Sequence, residues 1–540
     1  MRTSPELVPA LLLAALLAPL SAQTTATEPL DQAAVDFLKT EGLQNSQVME
    51  HLSWICDVYG PRLTGSPNIR RAQDWAVKTF TDWGLAHAHT ETWGPFGDGW
   101  QLEAYSARVT GDNPWQVIAV PKAWSPSIAK TIAKVVYVGN MSKDELEKAD
   151  LKGCIVLLGE PRALREDFTG EARRFESKDL DAMEEGGRSR GERRRGGREA
   201  MLQRWQRMMA TQRLVHSKQP LALLDCSSKG DYGTLFVQGA SVSAPEGADR
   251  RNRPRPQDPK GAPIIPQLTL VAEHFNRLVR VLKKNQPVSM EIEIRSRVVP
   301  GDRMGRNVVA EIPGSDPKLG AELVMLGAHF DSWHSATGAT DNGCGSAVVM
   351  EAVRLLQVMT KQLGRKPRRT IRVALWSGEE QGLLGSRAFV RQHFAEGRGD
   401  ERQLKPDWHR LSGYFNLDNG TGRIRGVYLQ GNRACGPIFR AWLAPFADLD
   451  AKTINPGNTG GTDHQAFDGV GLPGFQFVQD PVAYNARTHH SNMDNWDHAV
   501  AADLRQAATI MASFVWHTAQ RDAKLPRKQM PADASATQRR

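Results

Sequence analysis

From residue 307 onward, short runs of consecutive apolar residues alternate with longer stretches in which apolar residues return every three or four positions. The runs at 323–328 (Leu-Val-Met-Leu-Gly-Ala), 370–376, 414–417 and 474–478 are largely apolar throughout, as strands covered on both faces are. The stretches at 346–359, 382–393 and 503–518 show the helical interval. Strands linked by helices in this order predict an α/β fold: a mostly parallel mixed sheet flanked by helices. In such sheets ligands collect beyond the carboxyl ends of the strands.

Earlier in the chain the rhythm differs. Apolar residues at helical spacing over 31–59 are interrupted by Gly60-Pro61-Arg62-Leu63-Thr64-Gly65-Ser66-Pro67, after which a helix over 69–84 and an alternating segment over 87–93 follow. Between 116 and 293 the pattern consists of short strands and turns, which predicts an inserted β-rich module over 116–295. Within it, 165–218 is mostly polar, and 186–198 is a Gly and Arg run without an apolar residue. Such a run cannot bury enough surface to offset its ordering entropy, so a basic flexible loop is expected over 165–218, with a helix over 199–209 beside the run. The remaining divisions are a first part of the main domain over 23–115, its core over 296–522, and a disordered tail over 523–540.

Length and charge narrow the function. A chain of 540 residues exceeds what one hydrophobic core usually organises. The net charge of +9 comes largely from arginines gathered in the insert, without the interleaved aromatics of a nucleic-acid surface, so no nucleic-acid partner is expected. Residues 1–22, with Arg2, an apolar stretch and a small-residue end, read as a cleaved secretory leader. No later run approaches the roughly 18 apolar residues of a membrane helix, so a secreted or periplasmic protein without a membrane partner is expected. The five cysteines lack paired CxxC spacing, which argues against a cysteine zinc site.

The chemistry lies in acids and histidines that follow the apolar runs: His329 in Gly-Ala-His-Phe-Asp, Asp341 in Thr-Asp-Asn-Gly, Glu379 and Glu380 in Ser-Gly-Glu-Glu-Gln-Gly, Asp418 in Asn-Leu-Asp-Asn-Gly, and His489 and His490 before Ser491. Charged groups at such places are costly to desolvate unless a cation compensates them. Imidazole and carboxylate suit zinc, and a set larger than one tetrahedral ion requires points to two ions sharing a bridging carboxylate. Asp331, two residues after His329, has the spacing at which a carboxylate accepts the other imidazole N–H. Adjacent acids repel unless they serve different partners, so one of Glu379 and Glu380 is expected to bind metal and the other to take a proton from water. Either His489 or His490 fits as a ligand.

Taken in order, Gly-Ala-His-Phe-Asp-Ser, Ala-Thr-Asp-Asn-Gly, Ser-Gly-Glu-Glu-Gln-Gly-Leu-Leu-Gly-Ser, Asn-Leu-Asp, Gly-Thr-Asp-His-Gln-Ala-Phe and His-His-Ser resemble the co-catalytic dizinc exopeptidases related to plasma glutamate carboxypeptidase (carboxypeptidase Q) and bacterial leucyl aminopeptidases. Residues 60–67 resemble a motif near the amino terminus of that family, and the insert resembles a protease-associated domain. The resemblance implies two Zn2+ per chain: His329 and Asp418 on one ion, Glu380 and His490 on the other, Asp341 bridging, and Glu379 as general base; Asp331 is counted among the catalytic residues through its hold on His329. It places His489 where relatives carry a Tyr facing the tetrahedral intermediate, and Asp463 and His464 in a substrate pocket. The implied activity is hydrolysis of short peptides, as an aminopeptidase or dipeptidase; a carboxypeptidase of the same family is the alternative. Receptor-like relatives have lost ligands that this chain retains, and glutaminyl cyclases of the same fold use one zinc. A peptide is the expected partner, and a homodimer is left open. Reading a substrate carboxylate requires Arg or Lys, and Arg423, Arg425 and Arg487 are nearby in sequence.

Overall fold

In the computed structural model, residues 28–528 are described apart from 165, 167, 187–196, 246–253 and 398–400. The expected leader and most of the Gly and Arg run lie outside the described residues. Among the described residues no helix is long and apolar enough to cross a membrane.

Two eight-stranded sheets organise the chain. The first runs in the order Ala86–Trp93, Gly305–Ile312, Thr370–Trp376, Leu323–His329, Leu411–Asn416, Gly474–Gln479, Ile424–Tyr428, Thr453–Asn455. Its four central strands, Thr370–Trp376 to Gly474–Gln479, are mutually parallel, and antiparallel pairings lie to either side of them. Consecutive residues face opposite cores, as pleating demands. Leu326 and Phe415 pack with helices Cys344–Leu363 and Ala501–Gln520, while Met325 and Tyr414 pack with Phe389 and Phe467 from the other side. The central strands are therefore apolar on both faces, which is why they read as unbroken runs.

The second sheet runs Trp115–Gln116, Gly99–Thr110, Ser289–Val299, Ile128–Tyr137, Ile155–Leu158, Ala222–Cys226, Gln267–Leu270, Ala119–Pro121. It begins at Gly99 rather than at 116, because Gly99–Thr110 pairs along its length with Ser289–Val299. The helix Ala272–Leu282 covers one face through Phe275, Leu278 and Val279.

Two expectations differ from the structure. The stretch 165–218 is not a single loop: it carries the helices Ser177–Glu184 and Gly197–Ser217, anchored by buried Leu180 and Val215. Arg174 ties it to the first domain, 2.9 Å from Asp480 and 2.6 Å from Asp503. Residues 523–528, assigned to a disordered tail, are packed, since Leu525 is buried and Arg527 lies 3.9 Å from the Trp408 ring centroid; residues 529–540 lie outside the described residues.

Candidate metal centre

The parallel strands end in one place. His329 is the last residue of Leu323–His329, Glu379 and Glu380 lie just past Thr370–Trp376, and Asp418 lies just past Leu411–Asn416. Asp341 and His490 come from loops above these ends.

His329 is buried, and its Nδ1 lies 3.0 Å from the backbone oxygen of Asp331. A carbonyl can only accept, so the proton sits on Nδ1 and the Nε2 lone pair is free. That Nε2 lies 3.4 Å from Asp341 Oδ1 and 3.5 Å from Asp418 Oδ1. The other oxygen of Asp341, Oδ2, lies 3.1 Å from His490 Nε2, which is itself 2.9 Å from Glu380 Oε2. Asp341 thus turns one oxygen toward each of two imidazoles. Its loop is held from below by buried Asp494, which accepts the Thr340 amide at 2.7 Å and the Asp341 amide at 3.0 Å.

The role expected of the Asp331 carboxylate changes. Its backbone carbonyl, not its carboxylate, takes the imidazole proton; the carboxylate oxygen stands 3.7 Å from Nδ1. The carboxylate instead accepts the amides of Glu379 at 3.2 Å and Glu380 at 3.3 Å, and the hydroxyl of Thr64 at 2.9 Å. It fixes the turn that sends the two adjacent acids in different directions. Thr64 also accepts the Gly378 amide at 3.0 Å. Arg62, wholly buried, donates to the carbonyls of Phe330, Ile55, Thr337 and Gly338. The motif at 60–67 therefore braces the segment just past His329 and the loop that carries Asp341, a contribution its sequence alone does not reveal.

Electrostatics describe a cluster short of positive charge. Burial, with Asp341 adding repulsion against the attraction of His490, raises the Glu380 carboxyl to about 7. Burial also takes Asp494 and Asp463 to about 7, and it raises Glu379 well above the carboxylate range, Asp418, Asp463 and Glu380 adding to it against His329. Burial would lower His490, but Glu380 and Asp341 carry it to about 10. Asp341 Oδ2 and Glu380 Oε1 are buried yet have no hydrogen bond among the described residues. Two overlapping groups, Asp341 with His489 and His490, and His329 with Asp341 and Glu380, bring their donor atoms within 4.8 Å of one another. Nitrogen and oxygen donors in this arrangement fit divalent zinc.

Around the cluster, His489 stacks on His490 at 3.7 Å between ring centroids, with Nε2 3.9 Å from Asp341 Oδ2. Asp463 is buried and accepts the Ser386 hydroxyl at 2.5 Å, leaving Oδ2 without a partner among the described residues. His464 turns its Nε2 to the Thr459 carbonyl at 3.2 Å, a contact that anchors its own loop. The three arginines are committed elsewhere: Arg423 to Asp450 at 3.1 Å, Arg425 to Asp480 at 3.0 Å, and Arg487 to Glu171 at 2.7 Å.

The second sheet also reaches this place. The Val237 amide donates to the His490 carbonyl at 3.0 Å, Phe236 and Ser491 form a β-bridge, and the Asn492 amide donates to the Leu235 carbonyl at 3.1 Å. These bonds hold His490 at φ +60°, a left-handed conformation unusual for histidine. Gln238 puts its side-chain amide 3.1 Å from His490 Nδ1, and Lys229 its ammonium 3.2 Å from His489 Nδ1. None of these insert residues belongs to a recognisable motif.

Residues 307–515 match the model of peptidase family M28. Mouse carboxypeptidase Q is 23% identical over 496 residues, an alignment spanning 92% of this chain and 90% of the mouse protein. A peptidase M28 precursor from Shewanella amazonensis superposes with a TM-score of 0.64 at 22% identity, covering 92% of this chain and 99% of that structure. A zinc aminopeptidase from Bacillus subtilis does so with a TM-score of 0.54 at 17% identity, covering 88% and 96%. With the ordered motifs brought together at the strand ends, residues 307–515 carry the region that matches peptidase family M28, and the chain is similar along most of its length to carboxypeptidase Q.

Proposed function

We propose that the chain is an exported zinc exopeptidase acting on short peptides, as an aminopeptidase or dipeptidase, with two zinc ions in the cluster. The observation that carries this reading is Asp341, whose Oδ1 lies 3.4 Å from His329 Nε2 and whose Oδ2 lies 3.1 Å from His490 Nε2. A carboxylate with one oxygen for each of two imidazoles is what a bridge between two ions needs. His329 and Asp418 would hold one zinc, Glu380 and His490 the other, and Asp341 both. Bound there, the ions would supply Lewis acidity toward a peptide carbonyl and a water acidified toward neutrality.

The protein's own residues do the rest. Glu379, its backbone tied to Asp331, takes a proton from water on its carboxylate and gives it to the nitrogen of the leaving amine. Burial gives that carboxyl a raised proton affinity, which suits a group that must accept a proton and then deliver it. His489, beside Asp341, is placed to donate to the oxygen of the tetrahedral intermediate. The carboxypeptidase and zinc aminopeptidase names of two relatives support the class of reaction, and the insert, a protease-associated-like domain, walls one side of the cluster.

The test is hydrolysis of an unblocked dipeptide by the processed protein, with and without a chelator. Activity should vanish on chelation and return with zinc. Turnover unaffected by complete metal removal would refute the reading.

A further inference from the structure

Lys229, just past the strand Ala222–Cys226, is one of the residues by which the second sheet reaches the centre. Its ammonium donates to the Asn485 carbonyl at 2.8 Å and to His489 Nδ1 at 3.2 Å, and lies 4.0 Å from the centroid of the Phe236 ring. All three partners are neutral. Among the described residues no carboxylate lies within ion-pair distance of it, whereas Arg423, Arg425 and Arg487 are each matched to an acid. A half-buried ammonium surrounded by neutral groups is a charge without a counter-ion, which is costly unless an anion arrives. Burial, opposed by the charge of Asp341, lowers its pKa to about 8, so it remains protonated at neutral pH. An ammonium has three donors, two of which are engaged here.

Position completes the argument. Only the His489 ring separates Lys229 from Asp341, since Nδ1 of that ring meets the ammonium and Nε2 lies 3.9 Å from Asp341 Oδ2. In a peptide whose scissile carbonyl sits at the metal cluster, the carboxylate carbon of the next residue lies about 3.8 Å further along, the spacing of one residue. The ammonium and Asp341 stand at opposite nitrogens of that ring, so a residue whose preceding carbonyl sits at the cluster extends its own carboxylate toward the side on which the ammonium lies. We propose that Lys229 binds the free carboxylate of the residue just after the scissile bond, so that of the two activities proposed above the chain has the dipeptidase one. This deepens, and rests on, the exopeptidase reading; it sets the recognised end of the substrate by a residue outside the peptidase sheet.

The test uses the zinc-loaded full chain with alanyl-leucine and its C-terminal amide. The native protein should favour the free acid in kcat/KM by at least about tenfold, the size of one charge-assisted hydrogen bond. Lys229→Met should lower kcat/KM for the acid roughly 10- to 100-fold more than for the amide, with zinc content reporting correct folding. Lys229→Arg should keep the preference. Equal cleavage of acid and amide by the native protein would overturn the proposal, as would a preference that survives in Lys229→Met. So would an equal fall in kcat on both substrates, which would leave the lysine only the task of orienting His489. If neither substrate is cleaved, the exopeptidase reading fails, and calorimetry still decides the role of Lys229. N-acetyl-leucine should then bind the native protein and not Lys229→Met, while its amide binds neither; identical binding of acid and amide would overturn the proposal.

Discussion

The two eight-stranded sheets have equal strand counts and meet the same centre in different ways. In the peptidase sheet, four parallel strands buried on both faces stop at a common edge, and acids and imidazoles are held there out of water. The insert sheet is half-exposed, with Tyr105 and Ile132 open to solvent. Among the described residues it offers no carboxylate or imidazole to the cluster, yet its residues 235–238 and Lys229 grip the two histidines that the peptidase side presents on a loop. The lesson is one of cost. Buried charge is held where rigid strand ends and braced loops converge, whereas contacts that orient a ligand or select a substrate can come from a second module, through residues that belong to no motif.

Substitutions should separate the two contributions. Asp341→Ala, which removes the carboxylate shared by both imidazoles, should empty both metal positions and lower turnover by at least about 10³-fold, as zinc content and dipeptide hydrolysis would show. Glu379→Gln should keep its zinc and lose about 10²- to 10⁴-fold in kcat; undiminished turnover would remove Glu379 from the role of base. On the insert side, Gln238→Leu deprives His490 Nδ1 of its partner. The carboxamide can present its oxygen there by rotating, as a metal-bound imidazole would require. Zinc affinity at one position should fall about 10- to 100-fold with the other unchanged, measured by competition with a chromogenic chelator. Unaltered affinity at both would confine the centre to the peptidase sheet.

A pH effect sharpens the contrast away from the metals. Glu351 lies on the peptidase side, accepting from Arg354 at 2.8 Å and meeting His51 at 3.1 Å. Burial opposes its ionisation, but His51 and Arg354 lower its pKa to about 2. A carboxyl with a depressed folded pKa stabilises fully above its unfolded value, near 4.5, and that stability is lost as pH falls through about 2. The contribution is on the order of 3 kcal/mol. Denaturant unfolding at pH 6 and pH 3 should show a steeper loss for the native chain than for Glu351→Gln, while a local probe in the insert follows the two proteins equally.

Legibility in the sequence followed locality. Leu323–His329 and Thr370–Trp376 were readable because burial on both faces leaves a continuous apolar run, and the ligands were readable because they follow those runs in short glycine-rich turns. Gly99–Thr110 was not, because its polar and apolar residues give no clear period and its partner lies near residue 295. The carboxylate of Asp331 was assigned to its near neighbour His329; the amides it accepts are 48 and 49 residues away. Lys229 and Gln238 act across more than 250 residues, through a β-bridge and two hydrogen bonds that no spacing rule encodes. Thr64 and Arg62 sat in a motif that could be recognised but not interpreted until their partners were in place.

The central claim is that side chains far apart in the sequence hold two divalent ions across Asp341. Equilibrium dialysis of the metal-stripped, full-length protein against zinc tests it most directly, beside Asp341→Ala. Two ions bound per native chain and almost none by the variant is the predicted result; a native chain that takes up no zinc, or a variant that binds as much as the native protein, would contradict it.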